Sequence, residues 1–175
     1  SRKTILNMKV IAILAAGKNN ELGKNNNLLW NLPRDMQFFK ETTWGHTVIT
    51  GRKNYESIPE KYRPLPGRNN LVVTQNTEYN APGTTVINSI ESALKKAEEI
   101  EAEKCFIIGG GQIYQYAFEQ DLIDEVLLTR VDANFDADVF LEGFKTENWY
   151  LKKELFTPAD SKNAYNLYFQ TWVKP

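Results

Sequence analysis

Lys9 to Ala16 reads Lys-Val-Ile-Ala-Ile-Leu-Ala-Ala, an apolar run with no polar alternation to mark a wet face. A short run that uniform fits a β-strand buried on both sides, which requires neighbouring strands and a covering layer above and below. Similar runs recur at Thr47–Thr50, Asn70–Thr74, Thr84–Ile87, Cys105–Ile108 and Val126–Val131. Helical signals stand between them. Pro33 suits a first helical turn, and Met36, Phe38 and Phe39 follow it in a helix expected to reach about Thr43. The strand Thr47–Thr50 is expected to end at Gly51-Arg52-Lys53, with a short helix following through Ile58. Ser89 is placed to cap a helix whose Ile90, Ala93, Leu94 and Ala97 share a face, and Ile113–Phe118 forms another. Strands that alternate with helices form a mostly parallel sheet. The end of the chain instead alternates over Trp149–Phe156 and Tyr165–Val173, which predicts an antiparallel pair. The expectation is an α/β fold, and 175 residues suit a single domain, taken as 8–175.

Arg2, Lys3 and Lys9 ahead of an apolar stretch ending at Gly17 also resemble a short secretory leader. The strand reading is preferred, because the alternation that follows builds on it. Met8 reads as a natural start, which makes residues 1–7 either a remnant added ahead of it or a short extension. No apolar stretch approaches the roughly 20 residues that span a bilayer.

The formal net charge is −1. That lacks the electrostatic footprint of a nucleic-acid binder or of a protein drawn to anionic membranes. Cys105 is the sole cysteine, which fits a reducing compartment. His46 is the sole histidine, read as a surface turn residue, so no site needing two histidine ligands exists. No metal-ligand pattern is present. Without H-E-x-x-H, C-x-x-C, G-x-S-x-G or a P-loop, zinc hydrolases, serine esterases and kinases are disfavoured.

Sheets of this kind bind ligands beyond the carboxyl ends of their strands. That points to the residues after Ala16, Thr50, Thr74 and Ile108. Residues 17–31 form a long polar loop, of a length that is usually functional in a compact domain. Gly109-Gly110-Gly111 joins a strand to a helix and lets backbone N–H groups approach a diphosphate. A tight turn also uses glycine, but three in a row exceed what a turn needs. Arg52 and Lys53 follow Gly51 at a helix start, where the dipole disfavours cations unless an anion is bound. Asp35 shares a helical face with Phe38, Phe39 and Thr42. A surface Asp offsetting the dipole and a pocket carboxylate balance on pattern alone. Trp30 before it and Phe39 after it favour a pocket for a flat, hydrogen-bonding ligand. In Pro64-Leu65-Pro66-Gly67-Arg68, prolines stiffen the loop that holds Arg68; it reads either as a solvated charge or as a clamp for a carboxylate or phosphate.

From about Lys9 to Val173 the chain resembles the dihydrofolate reductase family. The matching segments are Leu22-Gly23-Lys24-Asn25, Trp30-Asn31-Leu32-Pro33-Arg34-Asp35, Gly51-Arg52-Lys53-Asn54-Tyr55-Glu56-Ser57-Ile58, Arg63-Pro64-Leu65-Pro66-Gly67-Arg68-Asn69, Ile107-Ile108-Gly109-Gly110-Gly111-Gln112-Ile113-Tyr114 and Leu128-Thr129, in the family's order. The resemblance implies an eight-stranded, mostly parallel sheet with an antiparallel C-terminal strand and about four helices. It implies NADPH-dependent reduction of 7,8-dihydrofolate, with hydride passing to C6 and a proton to N5. Asp35, aspartate being the bacterial habit there, would hold the pterin and raise the basicity of N5. The catalytic set it implies is Asp35, Thr129, Trp30 and Leu28.

Ile13, Met36, Phe39, Ile58, Leu65, Ile108 and Thr129 would line the substrate site with Asp35, and Arg68 would pair with the glutamate tail. Ala15, Leu22, Gly23, Gly51, Arg52, Lys53, Asn54, Thr74, Gln75, Gly109, Gly110, Gly111, Gln112, Ile113 and Tyr114 would hold NADPH. The partners implied are dihydrofolate and antifolate inhibitors, with a cytoplasmic monomer and neither nucleic acid nor membrane. Leu29 stands where many bacterial members carry proline, Asn54 where threonine is common, and Pro59-Glu60-Lys61-Tyr62 is an added segment. Two other readings remain: a pyrimidine reductase of riboflavin synthesis with the same fold, and a nucleotide-binding module without catalysis. The former would lack the Asp35 context and the Arg68 anchor, and the latter has no need of an Asp35–Thr129 pair.

Overall fold

A computed structural model of the chain describes residues 7–25 and 27–175. Residues 1–6, most of the expected extension, lie outside the described residues, as does Asn26 of the polar loop. The apolar run β1 (Lys9–Ala16) sits inside an eight-stranded sheet, paired in parallel with β6 (Lys104–Ile107) on one side and β7 (Glu125–Val131) on the other. Beyond β6 come β3 (Thr47–Gly51), β4 (Asn69–Val73) and β5 (Thr85–Ile87), all parallel. Beyond β7 come β10 (Leu167–Val173) and then β9 (Tyr150–Thr157) at the edge. Because β10 runs antiparallel to both neighbours, it alone opposes the other seven strands. The expected architecture is therefore observed, with strand and helix limits displaced by a residue or two.

The uniform hydrophobicity of β1 has a direct cause. Val10, Ala12, Leu14 and Ala16 face a core built with helices α3 (Ile90–Ile100) and α4 (Gly111–Glu119), through Ala93, Leu94, Ala97, Tyr114 and Ala117. Ile11 and Ile13 point the other way and pack with Phe38 and Phe39 of α1 (Pro33–Thr43). A strand alternates its side chains between faces, so covering both removes the polar alternation. Ser89 caps α3 as expected, its hydroxyl accepting the Ser92 N–H at 3.0 Å. The short helix α2 (Arg52–Ser57) follows β3 directly, and the added segment folds as a 3₁₀ turn at Glu60–Tyr62. The edge strand β9 is exposed along nearly all its length and carries Lys152 and Lys153, which discourage pairing with another chain.

Two expectations need correction. The 17–31 segment is not simply a loop: β2 (Glu21–Gly23) pairs antiparallel with β8 (Val139–Phe140), 115 or more positions on, as a separate ribbon. Spacing along the chain carries no signal for a partner that remote. His46 is not a free surface residue. Its Nδ1 lies 3.0 and 2.9 Å from the two Glu101 carboxylate oxygens, and its ring lies 5.7 Å from that of Phe106. It ties the turn after α1 to the end of α3.

Candidate active site

The carboxyl ends of β1, β3, β6 and β7 converge on one rim of the sheet, and α1 crosses beside it. Pro33 at the helix start leaves Asp35 in the first turn, where the free N–H groups and the dipole favour an anion. Thr129 shares the face of β7 that carries Leu127 into the cluster with Phe38 and Phe39 of α1; it lies opposite Ala15 in the β1 register. Its hydroxyl donates to Asp35 Oδ1 at 2.7 Å, and the threonine is buried. Burial raises the Asp35 pKa above its ordinary value, and the Thr129 hydrogen bond offsets part of the rise. Ile13, Phe39, Leu65 and Ile108 gather in the same apolar cluster. The result is a carboxylate with one oxygen satisfied, set against hydrocarbon. Arg34 plays no part in it: its guanidinium turns away to Asp160 at 2.7 Å and to the Pro158 carbonyl at 3.2 Å.

Arg68 stands at the far end of that cluster. Its Nε donates to the Pro66 carbonyl at 2.9 Å and one Nη to the Thr43 hydroxyl at 3.2 Å. The guanidinium lies 5.9 Å from the Phe39 ring and 5.5 Å from the Trp44 ring. Gly67 has φ +74°, and a Cβ there would lie 2.4 Å from the Trp44 ring, so the loop rests on the indole. Arg68 is thus held by the fold rather than free in solvent. Arg63 is held differently, donating to the carbonyls of Glu56 and Ile58 at the end of α2.

On the other side of the rim, β3 and β6 end side by side. The Gly51 N–H donates to the Gly109 carbonyl at 2.9 Å, and the Thr50 hydroxyl reaches the same oxygen at 3.2 Å. Gly109–Gly110 is a cis peptide, and Gly109 has φ +114°. A Cβ on Gly109 would crowd Tyr114 at 3.1 Å, whereas one on Gly110 would meet nothing nearer than Asn54 at 3.9 Å. Helix α4 begins at Gly111 with no side-chain cap and no acid in its first turn. That leaves N–H groups and the positive dipole end for an anion. Asn54 turns inward, donating to the Thr50 hydroxyl at 2.9 Å and the Ile108 carbonyl at 3.3 Å, so its side chain braces these strand ends. The Tyr114 hydroxyl donates to the Ile13 carbonyl at 2.8 Å, and burial raises its pKa, keeping it a donor.

The β2–β8 ribbon overhangs this turn: a Cβ on Gly111 would lie 2.7 Å from Val139 and 3.8 Å from Leu22. The ribbon is fastened by Glu21, buried in full, whose carboxylate accepts the Asn19 N–H at 2.6 Å and the Phe135 N–H at 2.5 Å. Arg130 adds a bond to the Gly17 carbonyl at 2.8 Å, and Asp138 accepts the Asn25 N–H at 3.0 Å. The Phe135 ring meets Trp30 edge-on at 5.0 Å.

The structure therefore gathers Asp35, Thr129, Ile13, Phe39, Leu65, Ile108 and Arg68 on one side of the sheet rim, with the glycine turn, Gly51, Tyr114 and Leu22 beside them. Met36 and Leu28 are 59% and 73% exposed. Ile58 is half-buried beyond α2, and Lys53 and Gln75 are exposed. Sequence reading missed Trp44 and Glu21. A tryptophan one residue past the expected helix end, or a glutamate in an asparagine-rich loop, signals nothing until its partner is known.

The family model described as dihydrofolate reductase matches residues 9–174. Dihydrofolate reductase type 3 of Salmonella typhimurium is 38% identical over 164 residues, spanning 94% of this chain and 97% of that protein. Dihydrofolate reductase of Bacillus subtilis (strain 168) is 37% identical, spanning 93% and 92%. Among solved structures, dihydrofolate reductase from Enterococcus faecalis, complexed with NADP(H) and RAB-propyl, superposes with a TM-score of 0.86 at 29% identity, covering 97% of this chain and 98% of that one. The cleft, the sheet order that builds it and these matches agree, and the chain belongs to the dihydrofolate reductase family.

Proposed function

We infer that this chain reduces 7,8-dihydrofolate to 5,6,7,8-tetrahydrofolate at the expense of NADPH, supporting one-carbon metabolism. The observation that carries the reading is the Thr129-bonded Asp35 carboxylate beside the apolar cluster of Ile13, Phe39, Leu65 and Ile108, the last of which leads straight into the glycine turn. NADPH, when bound, supplies the hydride. The residues present fit it: a glycine turn where a Cβ at position 109 would collide, an uncapped helix start and a cationic pair after Gly51. Gly109, Gly110, Gly111 and the first turn of α4 hold the diphosphate. Arg52, Lys53, Thr74 and Gln75 face the phosphorylated ribose, and Ala15 meets the nicotinamide carboxamide. Asp35 accepts from the pterin's amine and ring nitrogen, and its charge raises the basicity of N5. Thr129 fixes the carboxylate's orientation. Ile13, Met36, Phe39, Ile58, Leu65 and Ile108 enclose the rings. Leu22, Gly23 and Leu28 close over the site with Trp30 and exclude water, which strengthens electrostatic contacts inside. The same cleft is the place for antifolate inhibitors. We place the enzyme in the cytoplasm as a monomer, in keeping with its lone buried cysteine; among the described residues no helix is long and apolar enough to cross a membrane.

The test follows NADPH absorbance with purified protein, with and without dihydrofolate. Oxidation that requires dihydrofolate and stops with an antifolate supports the reading. Oxidation that requires the pyrimidine intermediate of riboflavin synthesis instead overturns it.

Arg68→Leu is expected to raise KM for dihydrofolate about 10- to 100-fold, the value of a lost charge-assisted pair. Turnover at saturation stays near the parent's, and a pterin without the glutamate tail shows no change. A like rise in KM for both substrates would remove Arg68 from the site.

A further inference from the structure

Arg52 is pre-set before any ligand arrives. Its guanidinium carbon lies 4.2 Å from the centre of the Tyr79 ring. Its Nε donates to Glu56 Oε2 at 3.2 Å, and the Tyr79 hydroxyl donates to that same oxygen at 2.8 Å. The three side chains close on one another. Tyr79 is in turn seated against Tyr55, Val72 and Ala81. It lies on the loop after β4, which also carries Thr74 and Gln75.

Local helix energetics do not account for the arrangement. Arginine at a helix start opposes the dipole, and a cation four residues before an acid is the less favourable order. The pair is also exposed, where such contacts add little stability. What the arrangement does achieve is orientation. One face of the guanidinium is on Tyr79 and its Nε edge is on Glu56. Its two terminal nitrogens make no hydrogen bond to a described residue and form the fork that suits a phosphate.

We propose that Tyr79 and Glu56 are positioning residues that hold Arg52 aimed at a phosphomonoester on the cofactor's adenosine ribose, and so set the preference for the phosphorylated over the unphosphorylated dinucleotide. The proposal rests on the reading that Arg52 faces that phosphate. Burial and the Glu56 contact both hold the Tyr79 pKa up, so the hydroxyl stays protonated and donates to Glu56 at neutral pH. An arginine already ordered loses less freedom on binding, and ordering one such side chain is worth about three- to tenfold in affinity.

The experiment is calorimetric titration of the full chain with adenosine 2′,5′-bisphosphate, 5′-AMP, NADPH and NADH. Tyr79→Leu keeps the apolar contacts with Tyr55, Val72 and Ala81 but removes the aromatic face. It is expected to weaken the bisphosphate and NADPH about three- to tenfold and to leave 5′-AMP and NADH within about twofold. Tyr79→Phe, which keeps the ring, restores most of the loss. An equal loss for all four probes makes Tyr79 a general structural support and overturns the proposal. No loss in Tyr79→Leu, while Arg52→Gln abolishes the NADPH–NADH difference, overturns the proposal but leaves the reading of Arg52 standing. Should Arg52→Gln itself leave that difference intact, the reading falls and the proposal with it.

Discussion

Replacing Asp35 with asparagine is expected to cut turnover at pH 7 by about 100- to 1000-fold, the usual cost of removing one pre-aimed electrostatic group. NADPH affinity should stay within about twofold, because on the proposed reading that carboxylate faces the pterin and not the dinucleotide. Asparagine is nearly the same shape and can still accept the Thr129 hydroxyl, so the cleft's geometry survives. What disappears is the negative charge that favours protonation of the bound ring. Pre-steady-state hydride transfer and equilibrium NADPH binding measure the two quantities separately. Equal losses in both would mean that Asp35 supports the fold of the cleft and not its chemistry.

The same substitution makes a prediction of opposite sign for stability. Burial raises the Asp35 pKa above the ordinary 3.8, so the folded chain holds this proton more tightly than the unfolded chain does. Stability contributed by such a group falls as pH rises through that interval, and above the folded pKa the full penalty of a buried charge is present. At neutral pH Asp35 therefore costs the fold stability, and Asp35→Asn should melt at a higher temperature than its parent. Below the ordinary pKa both forms are neutral and the gap should close. Thermal unfolding at pH 7 and near pH 3.5 decides it. A less active, more stable variant is what a functional site under strain produces.

Alanine in the glycine turn separates folding from binding. Gly109→Ala forces a Cβ onto a backbone at φ +114° and to 3.1 Å from Tyr114. The expected loss is about 1–3 kcal/mol of stability, read as a lower melting temperature without ligand. Gly110→Ala is different. Its φ is −90° and its nearest atom is 3.9 Å away, so the apo fold should be unchanged to within about 0.5 kcal/mol. Its methyl group would occupy the space by which backbone N–H groups reach the diphosphate. NADPH affinity should fall about 10- to 100-fold, the worth of charge-assisted contacts to an anion. An unchanged NADPH affinity in Gly110→Ala would move the diphosphate elsewhere.

Local signals and remote contacts divide what could be read along the chain from what could not. The β1 run, Pro33 at the start of α1 and the Ser89 cap are legible because each depends on neighbours a few residues away. The glycine turn is legible for the same reason: strand, glycines and helix are consecutive. The family was legible because its segments keep their order and identity. Asp35 was undecided on pattern alone, since a first-turn aspartate suits any helix; its partner Thr129 is 94 residues away. His46 looked like a turn residue because Glu101 is 55 residues off. Glu21 gained a role only when Phe135 was brought to it, 114 positions on, and Trp44 only when Gly67 came to rest on its ring. The sequence by itself determined the layers, the rim that carries the candidate site and the residue types gathered there. Only the tertiary structure decided which charges are paired, which are aimed and which are buried, because those depend on contacts made when the sheet brings distant strands together.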